Sequence, residues 1–409
     1  METEHTVYRI MDNVSAGPLS PFIKHYAASL SEHGYTPPRI CYRLRLFSIF
    51  NRWLRRTGRG LSDVNEATCR QFCQCRVHLP RASVSPAYIL QEILTVLRQV
   101  GAIIPVEDAP LTPAQQLRRD YEIFLVDERA LSERTASTFA PVVDKFLSDT
   151  FGAGLIDLRG LRPSDVTEFV QRRVHEHGPS RAAILASATR SFLRYLHFKG
   201  LVDRDLSVAV PCVARWSCSN LPKYLAATQV RLILQHCDRG TPTGRRDYAI
   251  LLLLARLGLR ASEVAELNLE DIDWQTAAIT IHGKGGRLAQ LPLPADAGQA
   301  VARYLRRDRQ PCACRRVFIR GRAPMGGICR TNIAAIVRRA IDKAGVDAPH
   351  KGAHVLRHSL ATTMLRAGRS LDEIGELLRH KSRQSTLIYA KVDVEALRTL
   401  APQWPEGLQ

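Results

Sequence analysis

Nowhere does the chain reach the roughly 18 consecutive apolar residues that a membrane-spanning helix needs. Its best apolar run, Ala249 to Ala255, is short and ends at Arg256. The opening residues, Met1-Glu2-Thr3-Glu4-His5, carry neither the basic cluster nor the apolar stretch of a secretory signal. A soluble, cytoplasmic protein with no membrane partner is therefore expected. The ten cysteines lack paired spacing. Cys69, Cys73 and Cys75 cluster, as do Cys312 and Cys314 with Cys329 further on, but neither set shows CxxC pairs or an obvious fourth ligand. Reduced thiols are expected, with neither a disulfide framework nor bound metal.

Acidic residues are also in short supply, 39 against 58 lysines and arginines, which leaves a net charge of +19. Such a surplus suits a polyanion, because each phosphate contact releases condensed counterions. Anionic membranes and acidic proteins attract basic chains too, so charge alone does not choose the partner.

Sustained strand alternation is missing from roughly the first 220 residues, where apolar positions recur at helical spacing instead. Within this helical half an order of elements occurs twice, about 100 residues apart. Phe50-Asn51-Arg52-Trp53-Leu54, Leu61-Ser62-Asp63-Val64, Phe72, Ser85 to Leu90 and Val96 to Gly101 form the first series. Val143-Asp144-Lys145-Phe146-Leu147, Pro163-Ser164-Asp165-Val166, Phe169, Ser180 to Leu185 and Phe192 to Leu196 form the second. Duplication explains the matched order; generic amphipathic patterning in two bundles is the alternative. Each Ser-Asp pair is expected to cap a helix, its short side-chain oxygen accepting from a free first-turn amide. Pro105, Pro110 and Pro113 mark a linker between the copies, and Pro211 to Pro222 marks another.

Beyond Pro222 the pattern turns mixed. Tyr248 to Leu257 reads as an apolar helix ended by Gly258, and Ser262 to Leu267 starts the next. Ala278 to Ile281 and Leu288 to Leu293 read as a hairpin whose tip, His282 to Arg287, is rich in glycine. Helices are expected over about 296–308, 330–344, 354–367, 371–379 and 384–397. The predicted fold is thus mainly α, with a small β-hairpin or sheet in the C-terminal part.

Four local patterns there carry chemistry only in combination. Arg260 stands at a helix junction, with Glu263 three residues on to orient it. Lys284 sits on the hairpin tip between glycines that let the backbone approach another surface. His354 and Arg357 share a helix face at i, i+3, and His358 follows. His380 closes one helix, and Tyr389 lies in the next predicted one. Taken singly, these read as a surface ion pair, a solvated turn, a chance spacing and a core tyrosine.

In their order, Arg260 with Glu263, Lys284, His354 to His358, Leu378 with His380, and Tyr389, the residues resemble the catalytic domain of the tyrosine recombinase (phage integrase) family, over roughly 223–398. Residues 113–205 are similar to that family's core-binding domain. Three domains are expected: a helical one at 1–105, which the smallest family members lack and which the internal repeat makes a candidate duplicate of the core-binding domain; a helical core-binding domain at 113–210; and a catalytic domain at 222–400. It implies DNA strand transfer through a 3′-phosphotyrosine on Tyr389, with no metal and no other cofactor. Arg260 and Arg357 would hold the phosphate, and His354 would exchange a proton with the tyrosine. Lys284 would protonate the leaving 5′-oxygen, and His380 would bond a non-bridging oxygen. Double-stranded DNA is the implied partner, bound by a homo-tetramer or a hetero-tetramer with related recombinases. Topoisomerase IB-like relaxation and a catalytically silent DNA-binding protein on the same fold are the alternatives. The basic run Arg315, Arg316, Arg320 and Arg322 reads equally as a DNA-tracking loop or a solvated turn.

Overall fold

The computed structural model describes residues 7, 16–75, 84–103, 111–152, 154–212, 223–283, 287–348, 350–380 and 382–390. The chain packs as two compact units, one formed by Met1–Ile104 with Asn220–Gln409 and the other by Pro105–Ser219. No helix among the described residues is long and apolar enough to cross a membrane.

Both helical segments of the N-terminal half run through four helices in the same order. The first comprises Ile23–Glu32, Pro37–Arg56, Glu66–Gln74 and Pro86–Gln99. The second comprises Pro113–Ile123, Glu133–Phe151, Pro163–Val174 and Pro179–Phe198. The matched aromatic positions also meet alike. Trp53 and Phe72 pack edge-on at 5.5 Å, and Phe146 and Phe169, their counterparts, at 5.1 Å. Each such pair adds about 0.5–1.5 kcal/mol beyond the area it buries.

The Ser-Asp pairs cap differently from expectation. Ser62 lies inside a short 3-10 turn, Leu61–Asp63, and the following helix is capped by Asn65, whose side chain accepts from the Thr68 amide. Ser164 lies inside the first turn of its helix, with Arg162 in the capping position. In both segments the aspartate reaches back three residues to a backbone amide. Asp63 accepts from the Gly60 amide and Asp165 from the Arg162 amide, each at 2.8 Å. A carboxylate three residues into a turn takes the amide of the capping residue itself, whereas a cap hydroxyl takes an amide of the first turn, so the turn starts earlier than the Ser-Asp pair suggests.

The C-terminal segment is built around the helix Pro242–Leu257. Its residues Ala249 to Leu254 are all at most 1% exposed, as a helix that is apolar all round must be when surrounded by other elements. Helices Ala295–Arg307 and Ala353–Arg366 pack against it. The hairpin forms as expected, with Ala278–His282 antiparallel to Leu288–Pro292 and Ile279 opposite Leu291. A two-residue strand, Ile272–Asp273, completes a three-stranded sheet. The alternation in the strand puts Ile279 and Ile281 into the core while Thr280 and His282 face away. Lys284, at the hairpin tip, lies outside the described residues.

Within the first unit, the Met325 amide donates to the His33 carbonyl at 2.8 Å, and Ala323 packs on the N-terminal apolar cluster. Two of the four arginines in the basic run are engaged internally: Arg315 pairs with Glu270, and Arg316 donates to the Glu266 carbonyl.

Candidate active site

Three helix ends converge here. The helix Pro242–Leu257 stops at Gly258, which adopts a left-handed conformation at φ +58°. A β-carbon there would stand 2.6 Å from Leu378 Cδ2 and 3.1 Å from Leu360 Cδ2, so glycine answers both the conformation and the space. The reversal sets Arg260 as the cap of the next helix, Ala261–Glu266. Glu263 reaches back to it twice, accepting from the Arg260 amide at 2.8 Å and from its guanidinium Nη1 at 2.6 Å. The Arg260 side chain is 34% exposed, so one edge of the fork is fixed and the rest faces solvent.

Glu263 holds a second cation. Arg379 Nη2 donates to its Oε2 at 2.8 Å. Burial works to raise the Glu263 pKa, but the Arg260 amide, Arg379 and the Arg260 guanidinium together hold it below the usual carboxylate range. A buried carboxylate is stable only with such partners.

The helix Ala353–Arg366 brings in His354, Arg357 and His358. Arg357 is 4% exposed and donates to the carbonyls of Gly258 and Leu378. Both carbonyls belong to the C-terminal ends of helices, where partial negative charge gathers and a cation is favoured. Arg357 thereby ties the Gly258 turn to the end of Leu371–Leu378. Burial and the neighbouring Arg260 lower its pKa to about 10, which still leaves it charged at neutral pH. Burial, with Arg357 and Arg260 nearby, also lowers the His354 pKa, favouring neutral imidazole.

The helix Leu371–Leu378 is capped by Ser370 and ends at Arg379, itself left-handed at φ +53°. His380 follows, its amide bonded to the Gly375 carbonyl, and its ring Nδ1 lies 2.8 Å from Thr386 Oγ1. Tyr389 does not sit in the regular helix expected over 384–397. A 3-10 turn, Arg383–Ser385, leads into turns that run through Tyr389, and residues from 391 on lie outside the described set. Ser382 caps this short turn by accepting from the Gln384 amide, and the buried Thr386 hydroxyl is committed to His380. These local bonds compete with helix formation.

Tyr389 is 1% exposed and packs with Ala361, Ile374 and Leu378. Its hydroxyl lies 2.9 Å from His358 Nδ1, and the His380 ring lies parallel to its own, 6.3 Å between centroids. Burial pushes the Tyr389 pKa up to about 12, against the opposing fields of Arg357 and Arg260. The phenol is therefore protonated at rest, in a pocket already cationic enough to feel both arginines.

The structure thus brings Arg260, His354, Arg357, His380 and Tyr389 into one region of the C-terminal segment, while Lys284 lies outside the described residues. Two neighbours went unassigned in the sequence reading. Arg379 shares Glu263 with Arg260, and His358 touches the tyrosine. The i, i+4 spacing of His354 and His358 was a local signal for the second; nothing local pointed to the first. Among the described residues, no group of His, Cys, Asp and Glu side chains is arranged to hold a metal ion.

The chain has relatives among known proteins. Residues 223–396 match the model of the phage integrase family. Over 397 residues the chain is 45% identical to the Sinorhizobium fredii protein named "Putative integrase/recombinase y4rA", covering 96% of each. It is 31% identical to tyrosine recombinase XerD of Mycobacterium tuberculosis over 306 residues, 70% of this chain and 96% of the relative. The fold resembles that of the XerH site-specific recombinase crystallised on its difH substrate, at a TM-score of 0.58 and 20% identity, over 85% of this chain and 96% of that one. The chain belongs to the phage integrase family of tyrosine recombinases.

Proposed function

We propose that Tyr389 is the nucleophile with which this site-specific tyrosine recombinase cleaves and rejoins DNA. One observation carries the reading: the tyrosine hydroxyl is held by a histidine in a buried pocket that lies within the fields of Arg357 and Arg260. Attack on a scissile phosphate would give a 3′-phosphotyrosine and a free 5′-hydroxyl, conserving the bond energy for rejoining. A phenolate is a better leaving group than an alkoxide, so the intermediate stays reversible.

Arg260, with its free edge fixed in direction by Glu263, and Arg357 offer cationic forks to the non-bridging oxygens as charge builds on them. His380, steadied through Nδ1 by Thr386, is left with Nε2 for the same purpose. Lys284 on the hairpin tip is the proposed acid for the leaving oxygen, and His354 completes the set; both assignments are supported by the order of residues in the sequence. This chemistry needs neither metal nor another cofactor.

Three domains are proposed, at 1–105, 113–210 and 222–400, the second as the core-binding domain. The compact unit at Pro105–Ser219 supports the second domain; apolar clusters centred on the first and third segments support their division, and the repeated four-helix order supports a DNA-clamping role for the first. The net charge of +19 supports double-stranded DNA as the partner. Assembly into a tetramer on DNA, alone or with related recombinases, and action in the cytoplasm are supported by the family resemblance.

A suicide substrate, nicked so that the free hydroxyl is lost after cleavage, traps the covalent complex. Wild-type protein is expected to yield an adduct that maps to Tyr389, and Tyr389→Phe to yield none while retaining the same DNA in a mobility shift. An adduct formed by Tyr389→Phe overturns the assignment.

A further inference from the structure

Given Tyr389 as the nucleophile, we propose that His358 is the group that takes the phenolic proton as the tyrosine attacks. The inference rests on that reading and on the surroundings of one oxygen atom. Tyr389 is 1% exposed in the protein without DNA, so its hydroxyl rests on a protein group rather than on bulk water. The side-chain nitrogen at hydrogen-bond distance is His358 Nδ1, at 2.9 Å, the position a general base needs. The rings are tilted by 58° with centroids 5.7 Å apart, which aims the imidazole edge at the hydroxyl.

The other imidazoles are placed differently. His380 lies parallel to the tyrosine ring, 6.3 Å between centroids, and its Nδ1 is bonded to Thr386. His354 sits one turn earlier on the same helix as His358, with its ring centroid 6.4 Å from that of His358. The role that the family resemblance suggests for His354 at the tyrosine is therefore filled in this chain by the residue one turn later.

At rest the proton stays on the phenol and the imidazole is neutral; a base of pKa about 4 facing a phenol of about 12 takes that proton only as the oxygen–phosphorus bond forms. Burial, with His354, Arg357 and His350 around it, lowers the His358 pKa to about 4. The neutral ring can then accept through Nδ1 while the phenol donates. A bound phosphate offsets the positive field of Arg357 and makes the imidazole a stronger base when it is needed. In the cleavage step the bond from the Tyr389 oxygen to phosphorus forms as the phenolic O–H breaks, and the proton moves to Nδ1. The bond from phosphorus to the 5′-oxygen breaks with its electron pair on that oxygen, which takes a proton from the acid proposed above. In rejoining, the 5′-hydroxyl attacks phosphorus and gives its proton back to the conjugate base of that acid, the bond from phosphorus to the Tyr389 oxygen breaks, and the imidazolium returns its proton to the departing phenolate.

The test is single-turnover cleavage of the suicide substrate by the full-length protein. His358→Ala is expected to cleave ~10²–10³-fold more slowly, the usual range for loss of a general base, with unchanged DNA retention and partial rescue by added imidazole. His358→Asn keeps an acceptor near the Nδ1 position but cannot carry the proton, and is expected to stay slow. Both deficits should persist on a 5′-bridging phosphorothiolate substrate, whose sulfur leaves without protonation. Cleavage at the wild-type rate by either variant overturns the proposal, as does a deficit that vanishes on the phosphorothiolate. With Tyr389→Phe inactive in the same assay, these outcomes leave the nucleophile standing. An adduct from Tyr389→Phe would instead remove the reading beneath it.

Discussion

Glu263 and Arg379 are 116 positions apart in the chain, yet the carboxylate oxygen of one lies 2.8 Å from the guanidinium nitrogen of the other. Because Glu263 also holds the amide and guanidinium of Arg260, a single buried carboxylate sets the position of one cation of the candidate site and braces the turn that presents His380. Removing it leaves two arginines unbalanced. Glu263→Ala is expected to lower unfolding stability by about 3–5 kcal/mol, the range for breaking a buried ion pair, in urea titration. Single-turnover cleavage should fall ~10²–10³-fold, as when one transition-state donor is lost. Glu263→Gln, which retains an acceptor, should lie between the two proteins on both measures.

Gly258 is the second point of convergence. An alanine there would combine a left-handed backbone with a β-carbon 2.6 Å from Leu378 Cδ2. Gly258→Ala should cost about 1–3 kcal/mol from overpacking alone, seen as a lower unfolding midpoint. Because the carbonyls of Gly258 and Leu378 both receive Arg357, cleavage should slow even where the protein remains folded. A variant as stable and active as wild type would show that the junction is looser than described.

Arg379 invites a comparison of two substitutions. Its φ of +53° disfavours any residue with a β-carbon. Arg379→Ala keeps that strain and loses the ion pair; Arg379→Gly loses the ion pair and relieves the strain. The glycine variant is expected to be the more stable of the two by ~1 kcal/mol. The reverse order in urea titration would show that the left-handed turn is not kept in solution.

Stability should also fall in acid through the histidines around Tyr389. Burial and nearby cations lower the pKa values of His358 and His380 to about 4, against 6.5 in the unfolded chain. Between those values the unfolded state binds more protons, so stability declines as pH drops from about 6.5 towards 4 and levels off below. His380→Gln should flatten that slope in urea midpoints measured across the window. An unchanged slope would mean that His380 is charged in the folded protein.

The parts of this site that were legible in the sequence are those fixed by neighbours in the chain. Gly258 ending a helix, Glu263 three residues after Arg260, and His354 with Arg357 on one face are local patterns with local causes. The hairpin declared itself through the alternation of Ala278 to Ile281 and the glycines beyond. Long-range pairings were not legible. The bond from Glu263 to Arg379 has no periodicity to betray it, and the tie from Arg357 to two helix ends is visible only once those ends meet. The turn carrying Tyr389 read as helix because its apolar spacing is helical; the Ser382 cap and the bond between Thr386 and His380, six residues apart, compete with that preference. The Ser-Asp pairs were misread for a smaller reason. Serine and aspartate are both able to cap, and the aspartate, three residues in, took the amide.

The sheathing of Tyr389 bears on how safely such a protein can be kept in a cell. A phenol with 1% of its surface exposed is hidden from reagents that nitrate or iodinate tyrosines, whereas Tyr88, 49% exposed, is open to them. It is hidden equally from stray phosphodiesters. With Tyr389 as the proposed nucleophile, a phosphate meets the hydroxyl only after the side chains that cover it shift.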